Sequence, residues 1–286
     1  MTTPDPEAKE IMGKNCQKIP HSALYTSATW RWGGLPCAEI VTPPGTEGIF
    51  LLVNIFVALY RVLNPQKISL RHNLLHRHTA IDTLIRRSPC RQVIEIAAGF
   101  SPRGCMFSAD PAFCYFELDL PEVLALKRAQ LEASEAGRSI LARSNFSLLE
   151  GDITRLDFSQ PFRAVPTIVV SEGIMMYFRR EAQMAIWRNI ARFVKLHGGE
   201  YVFDYIPVDD EPPRSWPGQR LSELRHRLTN PPPPFAYDER TRLDVAADLR
   251  EAGFSTVEMI DTGKVARDWS LPCPEVPTRT ILYHCR

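Results

Sequence analysis

The chain has almost no net charge, no paired-cysteine motif, no long apolar run and no dinucleotide-type glycine loop, and each absence removes a class of function. Lys+Arg 34 against Asp+Glu 33 leaves a formal charge of +1. No global basic field draws such a chain to nucleic acid or an anionic membrane, and there is no acidic tail. The seven cysteines (Cys16, Cys37, Cys90, Cys105, Cys114, Cys273, Cys285) are odd in number and contain no C-x-x-C pair. That argues against a disulfide framework or a zinc ribbon and for free thiols in a reducing cytoplasm. The most apolar stretch, Ile49–Tyr60, is interrupted by Asn54 and stops at Arg61. It falls short of the roughly 20 residues that span a bilayer, so a buried helix is expected, with a hydrophobic lid or dimer contact as the alternative. Met1–Lys18 carries three acids and no apolar run before Ile11, unlike a secretory signal. None of the 15 glycines forms G-x-G-x-x-G, which disfavours a nicotinamide oxidoreductase because its pyrophosphate needs that spacing at a helix N-terminus.

What is present is a strand, a small-residue turn and a second strand ending in acids. Gln92–Ile96 is of strand type, carries Glu95, and opens into Ala97-Ala98-Gly99, with Gly104 five residues later. Tyr115-Phe-Glu-Leu-Asp-Leu120 follows and places Asp119 at its carboxyl end. Small residues let backbone approach a ligand, and the second-strand acid accepts hydrogen bonds from a ribose. A ribose-bearing ligand without a pyrophosphate, such as S-adenosylmethionine, fits this turn. Glu95 and Gly99 taken alone leave an ordinary α/β turn that merely needs small residues as the alternative. Asp119 has a neighbour two residues back, Glu117, on the same face.

Alternating strand and helix texture runs from Gln92 to Tyr205. Strands are expected at Gln92–Ile96, Phe113–Asp119, Asn145–Leu149, Pro166–Ser171 and Glu200–Tyr205, and helices at Ser101–Ser108, Pro121–Gly137 and Arg179–Leu196. This predicts an α/β, Rossmann-like, doubly wound sheet. After a proline-rich insertion at 207–240, a helix over Thr241–Ala252 and two strands, Phe254–Thr262 and Thr278–Cys285, complete seven strands with an antiparallel last one. Before the sheet, Met1–Pro20 reads as an arm, His21–Pro44 as irregular or briefly helical, and Ile49–Leu63 and Ile68–Arg86 as two helices divided at Asn64-Pro65. The expected division is an arm and helical cap over 1–88 and a cofactor-binding domain over 89–286.

Further acids sit where this pattern ends its strands. Asp152, in Gly151-Asp152-Ile153, is placed to accept from an adenine amine while Ile153 walls the ring; a turn or cap aspartate is the plainer reading. Glu172, in Ser171-Glu172-Gly173, closes the fourth strand. Carboxylates at four consecutive strand ends suit a cationic sulfonium ligand and repel phosphates.

The blocks Arg77-His-Thr-Ala-Ile-Asp82, Ile94-Glu-Ile-Ala-Ala-Gly-Phe-Ser-Pro-Arg-Gly104, Phe116-Glu-Leu-Asp-Leu-Pro-Glu-Val123 with Lys127, Gly151-Asp152-Ile153 and Ser171-Glu-Gly-Ile-Met-Met-Tyr177 occur in this order. Over Arg77 to about Tyr205 the chain resembles the leucine carboxyl methyltransferase family of class I S-adenosylmethionine-dependent methyltransferases. It is most similar to the bacterial polyketide-type O-methyltransferase branch, of the tetracenomycin kind, which Ser101-Pro102-Arg103 suits better than the commoner Asp-Thr-Arg. The resemblance implies that Arg77 holds the methionine carboxylate and that Ala97 and Gly99 touch the cofactor by backbone. It further implies Asp119 on ribose, Asp152 and Ile153 on adenine, and Glu172 at the methionine end. His78 stands where the family usually has threonine, and Ala97 where relatives often have glycine.

The expected reaction is methyl transfer to a carboxylate or hydroxyl of a small natural-product-like molecule. N-methylation, or a repurposed cofactor-binding fold, are the competing readings. In-line transfer depends mainly on placing the nucleophile and excluding water; a carboxylate needs no base, whereas a hydroxyl gains from one. His72, His76, His78, Tyr177 and Tyr205 are candidates without a preferred one. His72 and His76 share a helix face but lack the H-E-x-x-H glutamate and a third ligand, so no metal is expected. Aromatics Tyr25, Trp30, Trp32, Trp216, Phe235 and Tyr237 suit either an acceptor pocket or ordinary packing. Arg214, Arg220, Arg225 and Arg227 suit a substrate carboxylate or a solvated face.

Overall fold

The computed structural model describes residues 21–63, 69–156, 158, 162–205 and 240–286. The expected arm over 1–20, the Asn64-Pro65 break and the insertion up to residue 239 lie outside the described residues. Seven strands form one sheet: β1 (Gln92–Ile96), β2 (Cys114–Asp119), β3 (Phe146–Glu150), β4 (Thr167–Ser171), β5 (Glu200–Tyr205), β6 (Val257–Asp261) and β7 (Ile281–Cys285). Their order is β3-β2-β1-β4-β5-β7-β6. Strands β2 and β3 pair in parallel, as do β4 and β5, whereas β7 runs antiparallel to both β5 and β6. This is a Rossmann-like sheet, and the antiparallel last strand is as the sequence predicts. Strands β1, β4 and β5 are buried along their whole length, the reason they read as near-continuous apolar runs.

The chain divides into two compact units, Met1–Ile55 with Ile94–Ile153, and Phe56–Val93 with Thr154–Arg286. The first contains helices α1 (His21–Trp32) and α2 (Ala38–Val41), so His21–Pro44 is more helical than its Trp, Gly and Pro content suggests. Leu24, Tyr25, Ala28 and Trp30 are buried there, and that burial supports a helix which local propensity does not. Helix α3 (Thr46–Leu63) corrects a second expectation. Leu51, Leu52, Ile55, Phe56 and Leu59 are 49–70% exposed, so the apolar run is a surface helix and not a buried one. No helix among the described residues is long and apolar enough to cross a membrane.

Helix α4 (Leu70–Arg87) precedes β1, and α5 (Arg103–Phe107) follows the turn after it. The expected helix over Pro121–Gly137 is two helices, α6 (Pro121–Glu132) and α7 (Glu135–Leu141). Ser134 caps the second by accepting from Gly137 N at 3.0 Å. Gly137 is therefore inside α7 and not a stop: a Cβ there would overlap the Leu131 carbonyl. Helix α8 (Arg180–His197) buries Met184, Trp187, Ile190, Ala191 and Val194 on one face and ends at Gly198 in the left-handed conformation. Helix α9 (Arg242–Ala252) starts with a Thr241–Asp244 capping box, and the short α10 (Thr262–Val265) follows β6.

At the start of β5, Glu200 accepts from His284 Nε2 at 3.0 Å and from Arg286 Nε at 3.1 Å. Burial would raise its carboxyl, but these bonds and the His284 charge hold it down, from an ordinary 4.5 to about 2. A depressed acid contributes stability that is complete above its unfolded value and is lost as pH falls through the folded one. Between about pH 4.5 and pH 2 wild type should lose on the order of 2 kcal/mol that Glu200→Gln does not lose. Urea melts of both proteins across that window check it; parallel curves would remove Glu200 from the account.

Candidate functional site

In the first unit, the turn after β1 is held from several sides. Asp119 Oδ2 accepts from Gly99 N at 2.6 Å, and Oδ1 accepts from Leu120 N at 2.7 Å. Its carbonyl accepts from Gly151 N at 3.0 Å, and Ala98 N donates to Leu118 O at 3.2 Å. Asp119 thus gathers Ala97, Gly99 and the Gly151–Ile153 loop. Each carboxylate oxygen spends one acceptor position on backbone and keeps others. Burial raises the Asp119 carboxyl, which Gly99 N–H and Leu120 N–H partly offset. Gly99 (φ 53) and Ala97 (φ 55) are both left-handed, which explains a glycine preference at either position. Asp152 is exposed and Ile153 is buried beside it.

Glu95 sits differently from the other acids. It is 1% exposed, pairs through Oε1 with Arg103 Nη1, and accepts from the Tyr115 hydroxyl through Oε2 at 2.8 Å. Both of its oxygens are engaged inside the protein, so it anchors the Ser101-Pro102-Arg103 segment. A second anchor lies beside it: Lys127 Nζ donates to Ser101 O at 2.6 Å and contacts Glu117 Oε2. Glu117 and Lys127 are both fully buried. Burial pushes the Glu117 carboxyl up, to about 7, against the lowering by Lys127. Gly104 packs so closely that a Cβ would strike the Glu117 carboxylate and come within 2.7 Å of Phe146.

In the second unit, Arg77 from α4 lies between two carboxylates. Nε donates to Glu172 Oε1 at 2.8 Å, and Nη1 donates to Asp204 Oδ2 at 3.0 Å. Among the described residues two of its five N–H groups are spent in this way, which leaves three. Gly173 (φ 69) carries no side chain where a Cβ would stand 3.0 Å from Arg77 Nη2, so the guanidinium lies against open backbone. Gly173 N also donates to Asp204 Oδ1 at 2.6 Å. Burial disfavours the Arg77 charge, but Asp204 and Glu172 outweigh it and raise its pKa; burial likewise raises Asp204. His78 Nδ1 lies 2.9 Å from Glu172 Oε2.

The predicted residues therefore form two clusters: Glu95, Ala97, Gly99, Asp119, Asp152 and Ile153 in one unit, Arg77 and Glu172 in the other. Asp204 is the member that sequence reading missed. Its signal was available, since it is an acid near the carboxyl end of the fifth strand, as Asp119 and Glu172 are for theirs. The base candidates separate. His76 bridges Thr278 Oγ1 (2.8 Å) and Pro272 O (2.6 Å), and His72 meets Ser69 Oγ at 2.6 Å, so both are packing histidines. The Tyr205 hydroxyl lies 3.1 Å from both Gln183 Nε2 and Arg240 Nη2. Tyr177 is half-buried in a single 3₁₀ turn after Glu172. Trp216, Phe235, Tyr237, Arg214, Arg220, Arg225 and Arg227 lie outside the described residues.

Residues 62–191 match the family model described as leucine carboxyl methyltransferase. Among solved structures, a possible exported protein from Bordetella parapertussis is 18% identical over 77% of this chain and 70% of that one, with a TM-score of 0.53. The methyltransferase domain of bacterial CtHen1-CN is 13% identical over 73% of this chain and 97% of that one, at 0.50. PigF with SAH is 17% identical over 73% of this chain, at 0.46, and this chain spans 54% of its length. At such identities the fold is what is shared. No curated protein matches the chain significantly.

Proposed function

We propose that this chain, whose residues 62–191 match the leucine carboxyl methyltransferase model, is an S-adenosylmethionine-dependent methyltransferase that methylates an oxygen of a small molecule. The acceptor is a carboxylate or hydroxyl of natural-product type, in keeping with the polyketide-type branch that Ser101-Pro102-Arg103 resembles. The family description, with its carboxyl acceptor, supports oxygen over nitrogen. Bound S-adenosylmethionine supplies an electrophilic sulfonium methyl; the chain's own residues bind and orient it. Arg77 takes the methionine carboxylate, Glu172 the same end, Asp119 the ribose, and Asp152 with Ile153 the adenine. Ala97 and Gly99 offer backbone, and Glu95 acts behind them through Arg103.

The observation that carries this reading is the Arg77 guanidinium. It is buried and charged, oriented by two acids, and has N–H groups left over beside a glycine. A purely structural arginine at such burial would have spent them. The N-terminal helices and the proline-rich segment are assigned to acceptor recognition. Incubation with S-adenosylmethionine and panels of small carboxylates, phenols and amines, followed by mass spectrometry, should give S-adenosylhomocysteine and a product one methylene heavier. Loss of that methyl in mild base identifies an ester; a product confined to the amine panel would refute oxygen transfer.

A further inference from the structure

The segment that follows Glu172 is pinned at both ends by buried polar groups of the second unit. At its start, Gly173 N donates to Asp204 Oδ1 at 2.6 Å. At its end, the 3₁₀ turn Met175–Tyr177 is held by Gln183 of α8, whose Nε2 donates to Met175 O and to Phe178 O, each at 2.9 Å. Gln183 is 1% exposed. Those carbonyls, with the Tyr205 hydroxyl at 3.1 Å, occupy both hydrogens of its amide. A single 3₁₀ turn makes few bonds of its own, and this side chain adds two.

An amide has almost the same shape with its oxygen and nitrogen exchanged, so its partners set the way it faces. Gln183 Oε1 accepts from Arg240 Nη2. A guanidinium only donates, so Arg240 draws the amide oxygen to itself and turns the NH₂ toward Met175 O and Phe178 O. Arg240 is itself fixed. Its Nη1 pairs with Asp248 Oδ2, its Nη2 donates to the Tyr205 hydroxyl at 3.1 Å, and its guanidinium carbon stands 5.8 Å from the ring centres of Trp187 and Tyr205. Asp248 on α9 also accepts from Arg180, through Nε at 3.0 Å and Nη2 at 2.6 Å. Burial would raise the Asp248 carboxyl, but the two arginines hold it below its ordinary value. Acceptor and donor thus alternate from the Asp248 carboxylate, through Arg240 and Gln183, to the carbonyls of the turn.

We propose that Gln183 and Arg240 are positioning residues: Arg240 sets the direction of the Gln183 amide, and the amide holds the turn so that Glu172 and Gly173 stay against Arg77 at the methionine end of the cofactor. The inference rests on the assignment of Arg77 and Glu172 to that end. Gly173 is the point of transmission. A Cβ there would stand only 3.0 Å from Arg77 Nη2, so a shift of the turn moves backbone onto or off the guanidinium.

Calorimetry on the full chain with two probes tests this. S-adenosylhomocysteine carries the amino-acid end; 5′-methylthioadenosine keeps the adenosyl sulfur and lacks that end. Gln183→Glu keeps the side-chain length and pairs its charge with Arg240, but sets an oxygen against the two carbonyls. It should weaken S-adenosylhomocysteine roughly tenfold and leave 5′-methylthioadenosine within about twofold. Gln183→Met and Arg240→Met should show the same selectivity. Their double variant should bind S-adenosylhomocysteine no more weakly than Gln183→Met alone, because Arg240 acts through the amide. Circular dichroism verifies folding; if the methionine variants do not fold, Gln183→Glu decides. Equal losses for both probes in Gln183→Glu, wild-type affinity for both, or a Gln183→Glu chain that does not fold would overturn the inference alone. Additive losses in the double variant would overturn the role of Arg240. Failure of wild type to bind S-adenosylhomocysteine would sink the cofactor reading and this inference together.

Discussion

Asp119→Ala is expected to weaken binding of S-adenosylmethionine and S-adenosylhomocysteine by roughly a hundredfold to a thousandfold. Two losses combine. The ribose hydroxyls lose a charged acceptor, and hydrogen bonds to charged groups are worth about 1.5–3 kcal/mol each. Gly99 N–H and Leu120 N–H lose the oxygens that fix the turn at 2.6 and 2.7 Å, so the backbone must be ordered by the ligand itself. Together these reach about 3–4 kcal/mol, which is the stated factor. Calorimetric titration measures it, with circular dichroism to verify that the variant is folded. An affinity within a few-fold of wild type would mean that Asp119 only holds the turn.

Lys127→Met should be the most damaging single change to stability, costing about 3–5 kcal/mol. Methionine matches the length of the lysine stem but leaves Glu117 fully buried without a cation and Ser101 O without its 2.6 Å donor. For a chain of this size the melting temperature should fall on the order of 10 °C. The double change Lys127→Met with Glu117→Gln removes the stranded charge and should recover a large part of that loss. If single and double variants melt together, charge burial is not what Lys127 compensates. The S-adenosylhomocysteine affinity of the double variant is a separate readout: it reports whether Ser101 O must be held for the turn to bind.

Most of the architecture is legible in the residues because its strands are short apolar runs bounded by turns and acids. β1 and β5 appear with the predicted limits, and the others within a few residues. The misjudged helices show what such reading leaves out. The Ile49–Tyr60 run has the composition of a core helix, yet Leu52 is 70% exposed. Hydrophobicity measures the tendency to be covered, not whether something covers. Gly137 has the usual signature of a helix stop, yet it sits inside α7, where the Leu131 carbonyl leaves no room for a Cβ. That approach comes from how α7 packs on the end of α6, which residue identities alone do not show.

The acids divide along the same line. Their place at strand ends is a local property, set by where apolar runs stop, and the sequence alone determines it. What each carboxylate touches depends on residues far away along the chain. Glu95 turns inward to Arg103 and Tyr115, while Asp119 gathers the turns around it. Arg77 finds Glu172 and Asp204, which lie 95 and 127 positions further on. A hydrogen bond is satisfied within about 3 Å, and only the folded chain brings such residues that close.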